Sequence, residues 1–131
     1  MMNNKLELLT GDFERAGLQL RKALQQPKDE FVRDSAIQRF EFTFELFWKV
    51  LKEFALIEGL NPRSPRASIV TAFELGIIHD ETLFLRMLES RNLASHTYLE
   101  ATAEEIYTGL LTYLDAMCAA VNVIKSAKPL N

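Results

Sequence analysis

A chain of 131 residues with a formal net charge of −3 has the size of one ordinary domain and lacks the basic excess with which proteins grip long nucleic acid. Its 48% apolar residues, 25% charged residues and nine phenylalanines supply ample core material and exclude a disordered chain. The single cysteine, Cys118, excludes an internal disulfide and a cysteine zinc cluster and points to a reducing, cytoplasmic location. The opening Met1-Met2-Asn3-Asn4-Lys5 runs into mixed polar sequence, so neither an export leader nor a membrane span is expected.

Leu6, Leu9, Phe13, Ala16, Leu20 and Ala23 recur at alternating steps of three and four, one apolar stripe of a helix from Lys5 to Gln26. Pro27 and Asp29 interrupt it, and Ile37, Phe40, Phe44, Phe47, Leu51 and Phe54 restart the pattern as a long aromatic helix. Gly59 offers a stop, Asn61-Pro62 a turn, and Ser64-Pro65 an N-cap followed by a first-turn proline for a short third helix ending near Gly76. Asp80 is placed to cap a fourth helix carrying Phe84, Leu88 and Arg91, and Thr102 with Glu105 forms a capping-box pattern for a fifth. Ile106, Leu110, Tyr113, Met117, Ala120 and Ile124 give that helix its stripe, and a short polar tail follows Lys125. No segment alternates for long enough to be a strand, so the fold expected is all-α: a four- to five-helix up-and-down antiparallel bundle, residues 1–131 forming one domain.

Chemistry gathers where the fourth stripe turns polar, in Ser90-Arg91-Asn92-Leu93-Ala94-Ser95-His96-Thr97-Tyr98. Arg91, Ser95 and Tyr98 continue the spacing of Phe84 and Leu88, so polar groups stand where core residues are due. A half-buried arginine needs an anionic partner, and its planar fork matches a phosphate. Histidine moves protons near neutral pH, so Arg91 with His96 suits phosphodiester cleavage without a metal. Five residues apart, the two point ~140° away from each other on a straight helix, whereas Asn92 and His96 share a face. Either the helix ends before His96, or two copies bring arginine and histidine together across a two-fold axis; a dimeric, composite site is the favoured arrangement. On spacing alone a histidine near a helix end is more often a hydrogen-bonded cap than a catalyst, and an arginine there more often a carbonyl or carboxylate partner. Tyr98 reads as an edge residue with its hydroxyl in water, and His79 as a loop residue without a role.

On the second helix Glu41, Glu45 and Lys49 are spaced for intrahelical ion pairs on a solvated face; either glutamate would orient Arg91 only if this helix packed along the fourth. Trp48 reads as core or dimer interface, and Arg63 and Arg66 as a weak phosphate site at a helix N-terminus.

The run Arg33-Asp34-Ser35-Ala36-Ile37-Gln38-Arg39-Phe40-Glu41-Phe42-Thr43-Phe44-Glu45-Leu46, then Trp48-Lys49, Ser64-Pro65-Arg66, and Arg91-Asn92 through Ser95-His96-Thr97-Tyr98 resembles the nucleotidyltransferase substrate-binding branch of the HEPN superfamily, that of the HepT-like toxins. The resemblance spans nearly the whole chain. It implies a homodimeric bundle paired with a minimal nucleotidyltransferase of the MNT type. The bundle would be a metal-independent ribonuclease toxin, the transferase its antitoxin. By the same resemblance Arg91 binds the scissile phosphate, Asn92 helps position it and His96 is the general acid/base, while Tyr98 receives adenylyl groups from the partner. Glu41, Glu45 and Ser95 are supporting candidates. No metal and no cofactor are implied. The family's older name implies a competing role as a non-catalytic substrate-binding or regulatory subunit of the transferase. A bare nucleotide-binding module using Arg91 and Arg66 is a third reading.

Overall fold

The computed structural model describes residues 3–127; the opening Met1-Met2 and the last four residues of the polar tail lie outside the described residues. Five α-helices follow one another: α1 (Asn4–Leu24), α2 (Glu30–Ile57), α3 (Pro65–Glu74), α4 (Glu81–Leu93) and α5 (Glu100–Ser126), with a turn of 3-10 helix at Ala94–His96. They form the all-α, up-and-down bundle that the short connections predict. Four N-termini are fixed by side chains that accept a backbone N–H three residues on: Asn3 from Leu6, Asp29 from Val32, Ser64 from Ala67 and Asp80 from Leu83. Gly59 and Gly76 take φ of 85° and 76°, the left-handed conformation that lets the chain turn away after α2 and α3.

Helix α2 is the central element, packing against all four other helices and the 3-10 turn. Its Phe40, Phe44 and Phe47 are fully buried. Phe47 stacks on Phe84 of α4 with ring centroids 5.7 Å apart and meets Phe13 of α1 at 5.9 Å. The stripe of α5, Ile106, Leu110, Leu114, Met117, Val121 and Ile124, closes the core from the other side.

Three boundaries differ from the sequence reading. Helix α1 ends at Leu24, with Gln25 as C-cap, short of the expected Gln26. Helix α2 begins at Glu30, well before Ile37, because Arg33 occupies the inward position of its first turn and hides the stripe. Thr102 caps nothing: Leu99 is the N-cap of α5 and Thr102 lies inside the helix. The expected absence of a membrane span also needs qualification, since among the described residues one helix, α5, is long and apolar enough to cross a bilayer by length and composition, although a third of that stretch is buried in the bundle.

Candidate functional site

Helix α4 buries Phe84, Met87 and Leu88, and one turn beyond them Arg91 emerges at the edge of the core. The Arg91 guanidinium lies over the Phe44 ring, 5.8 Å from its centroid, where the negative ring face favours a cation. Its Nη2 donates to Glu45 Oε2 at 2.9 Å and its Nη1 to Asn92 Oδ1 at 3.2 Å. Lys49 Nζ lies 3.7 Å from Glu45 Oε1, the predicted intrahelical ion pair. Glu45 therefore meets Arg91 across α2 and α4, which are neighbours, rather than lying on a merely solvated face.

Glu41, one turn earlier on α2, is half-buried. Burial pushes its carboxyl above the ordinary range, and the charge of Arg91 opposes that rise. A carboxyl whose folded pKa is raised contributes stability below the ordinary glutamate value and loses it as pH climbs through the folded value. Replacing Glu41 by Gln removes that penalty, so urea midpoints measured at about pH 4 and about pH 7 are expected to shift in favour of Glu41→Gln at the higher pH. The opposite trend would show that Arg91, not burial, dominates at Glu41.

The helix ends before His96, the first of the two arrangements its spacing allowed. Tightening to three residues per turn brings Ala94, not Ser95, into line behind Arg91, and Ala94 is the buried residue of the turn. Ser95 and Tyr98 accordingly leave the stripe that the spacing assigned them. Ser95, His96 and Tyr98 are all exposed, Tyr98 by 78%. His96 and Tyr98 face each other edge-on with ring centroids 6.0 Å apart. No hydrogen bond joins Arg91 to His96 among the described residues. Within one chain the segment presents an anchored arginine and a free histidine rather than a closed pair.

Elsewhere Trp48 is partly buried against the core, and Arg63, Arg66 and His79 are exposed. The reading of residues overlooked Arg33, which is 4% exposed and bonded to Asp34, Glu100 and Glu104. The one available signal was charge complementarity between Lys28 and Arg33 at the start of α2 and the glutamates that open α5.

The sequence pattern of the family described as "Nucleotidyltransferase substrate binding protein like" matches residues 9–126. The chain belongs to this family. The chain is 30% identical over 84 residues to a Haemophilus influenzae protein named "Probable ribonuclease HepT", an alignment covering 60% of this chain but only 58% of that protein. A crystal structure from Thermus thermophilus shares 37% identity, covering 86% of this chain and 98% of that one, at a TM-score of 0.82. A tri-AMPylated HEPN toxin of Shewanella oneidensis, in complex with MNT antitoxin, superposes at a TM-score of 0.80 over 96% of this chain and 100% of that one. At 18% identity, that likeness establishes the HEPN fold.

Proposed function

We propose that this chain is a cytoplasmic HEPN toxin, a metal-independent RNA endonuclease acting as a homodimer of single-domain protomers and neutralised by an MNT-type nucleotidyltransferase that adenylylates Tyr98. The observation that carries this reading is Arg91 anchored by Glu45 and Phe44 at the root of a segment that exposes His96. Glu45 and Asn92 engage two of the five N–H donors of Arg91, leaving the others for phosphate oxygens. His96 then serves as general acid/base. The ribose 2′-oxygen attacks the adjacent phosphorus, its proton passing to an imidazole; the bond from phosphorus to the 5′-oxygen breaks, and that oxygen takes up a proton. Two copies related by a two-fold axis would bring Arg91 of one chain beside His96 of the other, forming the composite site.

The direct test is cleavage of RNA by the purified chain with a chelator present. A catalytically silent chain that instead alters the rate of its transferase would support the competing subunit role.

The phenol of Tyr98 stands clear of the bundle, open to a second enzyme. Its oxygen would attack the α-phosphorus of ATP, pyrophosphate would leave, and the phenolic proton would pass to a base of the transferase. The new phosphoryl anion would then compete with RNA for Arg91. Tyr107 and Tyr113 are internal controls: Lys28 lies over the Tyr107 ring, 5.3 Å from its centroid, and the Tyr113 hydroxyl is 3.2 Å from Ser90 Oγ. Peptide mass spectrometry after incubation with ATP, magnesium and the transferase is expected to find adenylyl mass on Tyr98 and none in Tyr98→Phe. Equal labelling of the two proteins refutes the assignment.

A further inference from the structure

Arg33 lies in the first turn of α2 with 4% of its surface exposed, and a guanidinium so withdrawn from water needs anionic partners. Its Nε donates to Asp34 Oδ1 at 3.0 Å; its Nη1 donates to Glu104 Oε1 at 3.0 Å and also to Glu100 Oε1. Lys28 holds the other oxygen of Glu104, and the two cations, Lys28 first, keep that carboxyl below its ordinary range.

The location of these partners matters. Glu100 is the first residue of α5, two positions after Tyr98, and Glu104 stands one turn further along the same face. Leu99, at the N-cap, offers the helix no side-chain bond, so no capping side chain fixes where α5 begins. Carboxylates in a first turn are already favoured by the helix dipole, and here a buried cation pins them in space. The other end of the segment is tied to the same helix, where Glu45 receives Arg91. Arg33 and Glu45 lie about 18 Å apart along α2 at helical rise. Between those ties only Ala94 is buried, and Ser95, His96 and Tyr98 stand in solvent.

We propose that Arg33 is a positioning residue: by gripping Glu100 and Glu104 it sets the start of α5 and so fixes the reach of His96 and of the Tyr98 hydroxyl. The consequence for catalysis rests on the ribonuclease reading of His96; the clamp itself does not. Arg33 is not a catalytic residue, since it is turned to the α2–α5 contact and acts through Glu100.

The chain has two histidines, His79 and His96, so their imidazole carbon–proton NMR signals are separable and His79, in the connection before α4, is an internal reference. Two variants break the clamp from opposite sides. Arg33→Gln removes the cation, and Glu100→Ala removes a partner whose side chain is 74% exposed, leaving the core untouched. Arg21→Gln breaks the Arg21–Asp115 pair, another bridge onto α5, and is the control.

Both clamp variants are expected to shift and broaden the His96 signal, with His79 unmoved and the control unchanged. Wherever the parent cleaves RNA, they are expected to lower kcat about tenfold with KM retained, a displacement effect rather than lost binding. If Arg33→Gln does not fold, Glu100→Ala decides. An unmoved His96 signal in folded Glu100→Ala, or an equal change in Arg21→Gln, overturns the proposal. Should the parent fail to cleave RNA, the ribonuclease reading falls while the His96 signal still decides the clamp.

Discussion

Replacing His96 by alanine is expected to lower RNA cleavage by the purified chain about 100-fold or more, the range over which a single general acid/base contributes. The imidazole is exposed and makes no hydrogen bond among the described residues, so its loss removes chemistry without core volume. Stability is therefore expected to stay within about 0.5 kcal/mol of the parent. Arg91→Ala is expected to be as damaging to cleavage while costing about 0.5–1 kcal/mol, since the pair it breaks is partly exposed and Glu45 keeps Lys49. Both variants are expected to relieve the growth inhibition that the parent causes when produced without its partner. In a composite site, co-expressed Arg91→Ala and His96→Ala chains restore part of the activity, because a mixed dimer retains one intact arginine–histidine pairing. Undiminished cleavage by both single variants would remove acid/base chemistry from this segment altogether.

Phe47→Ala is expected to act in the opposite way, lowering the stability of the protein by about 3–5 kcal/mol as read from urea unfolding. Phe47 is fully buried and joins three helices, its ring lying against Phe13 of α1, Phe44 of α2 and Phe84 of α4. The cavity left by the ring adds to the lost transfer energy, and the sum is a large share of the roughly 5–15 kcal/mol that holds an ordinary domain folded. Leu18→Ala, at a side chain 54% exposed on α1, is the reference and is expected to change little. A loss below about 1 kcal/mol at Phe47 would mean that α4 is not fastened to α2 through this ring stack, and the placement of Arg91 over Phe44 would lose its support.

The helices were legible because their apolar residues obey one period: Leu6, Phe13 and Leu20, or Phe40, Phe44 and Phe47, read as stripes and are buried as stripes. Ser64 and Asp80 were legible as caps because a side-chain acceptor three residues ahead of an N–H is a local arrangement. Arg33 was not, because an arginine in a helical pattern reads as surface until the opposing carboxylates on α5 are known. Thr102 failed for the same reason: its capping pattern is real in sequence, but the grip of Arg33 on Glu100 accompanies an earlier start. Glu45 was ambiguous until α2 and α4 proved to be neighbours. In the candidate site the polar break after Leu88 marked where α4 gives way to an exposed polar segment, and the switch to 3-10 geometry behind Arg91 lay beyond any periodicity argument.

The bundle is held by phenylalanines, whereas the segment from Arg91 to Glu100 is fastened at its ends by charge. These two kinds of attachment respond differently to dissolved salt. Screening over about 8 Å at physiological ionic strength weakens partly exposed ion pairs and leaves apolar packing in place. Arg91 pairs with the single carboxylate of Glu45, both side chains about a third exposed, whereas buried Arg33 shares three carboxylates, so screening of one pair costs the Arg91 end more. Rising ionic strength would thus slacken the arginine end of the segment before the tyrosine end, and the freedom of His96 would follow the salt around it while the helices stayed in place.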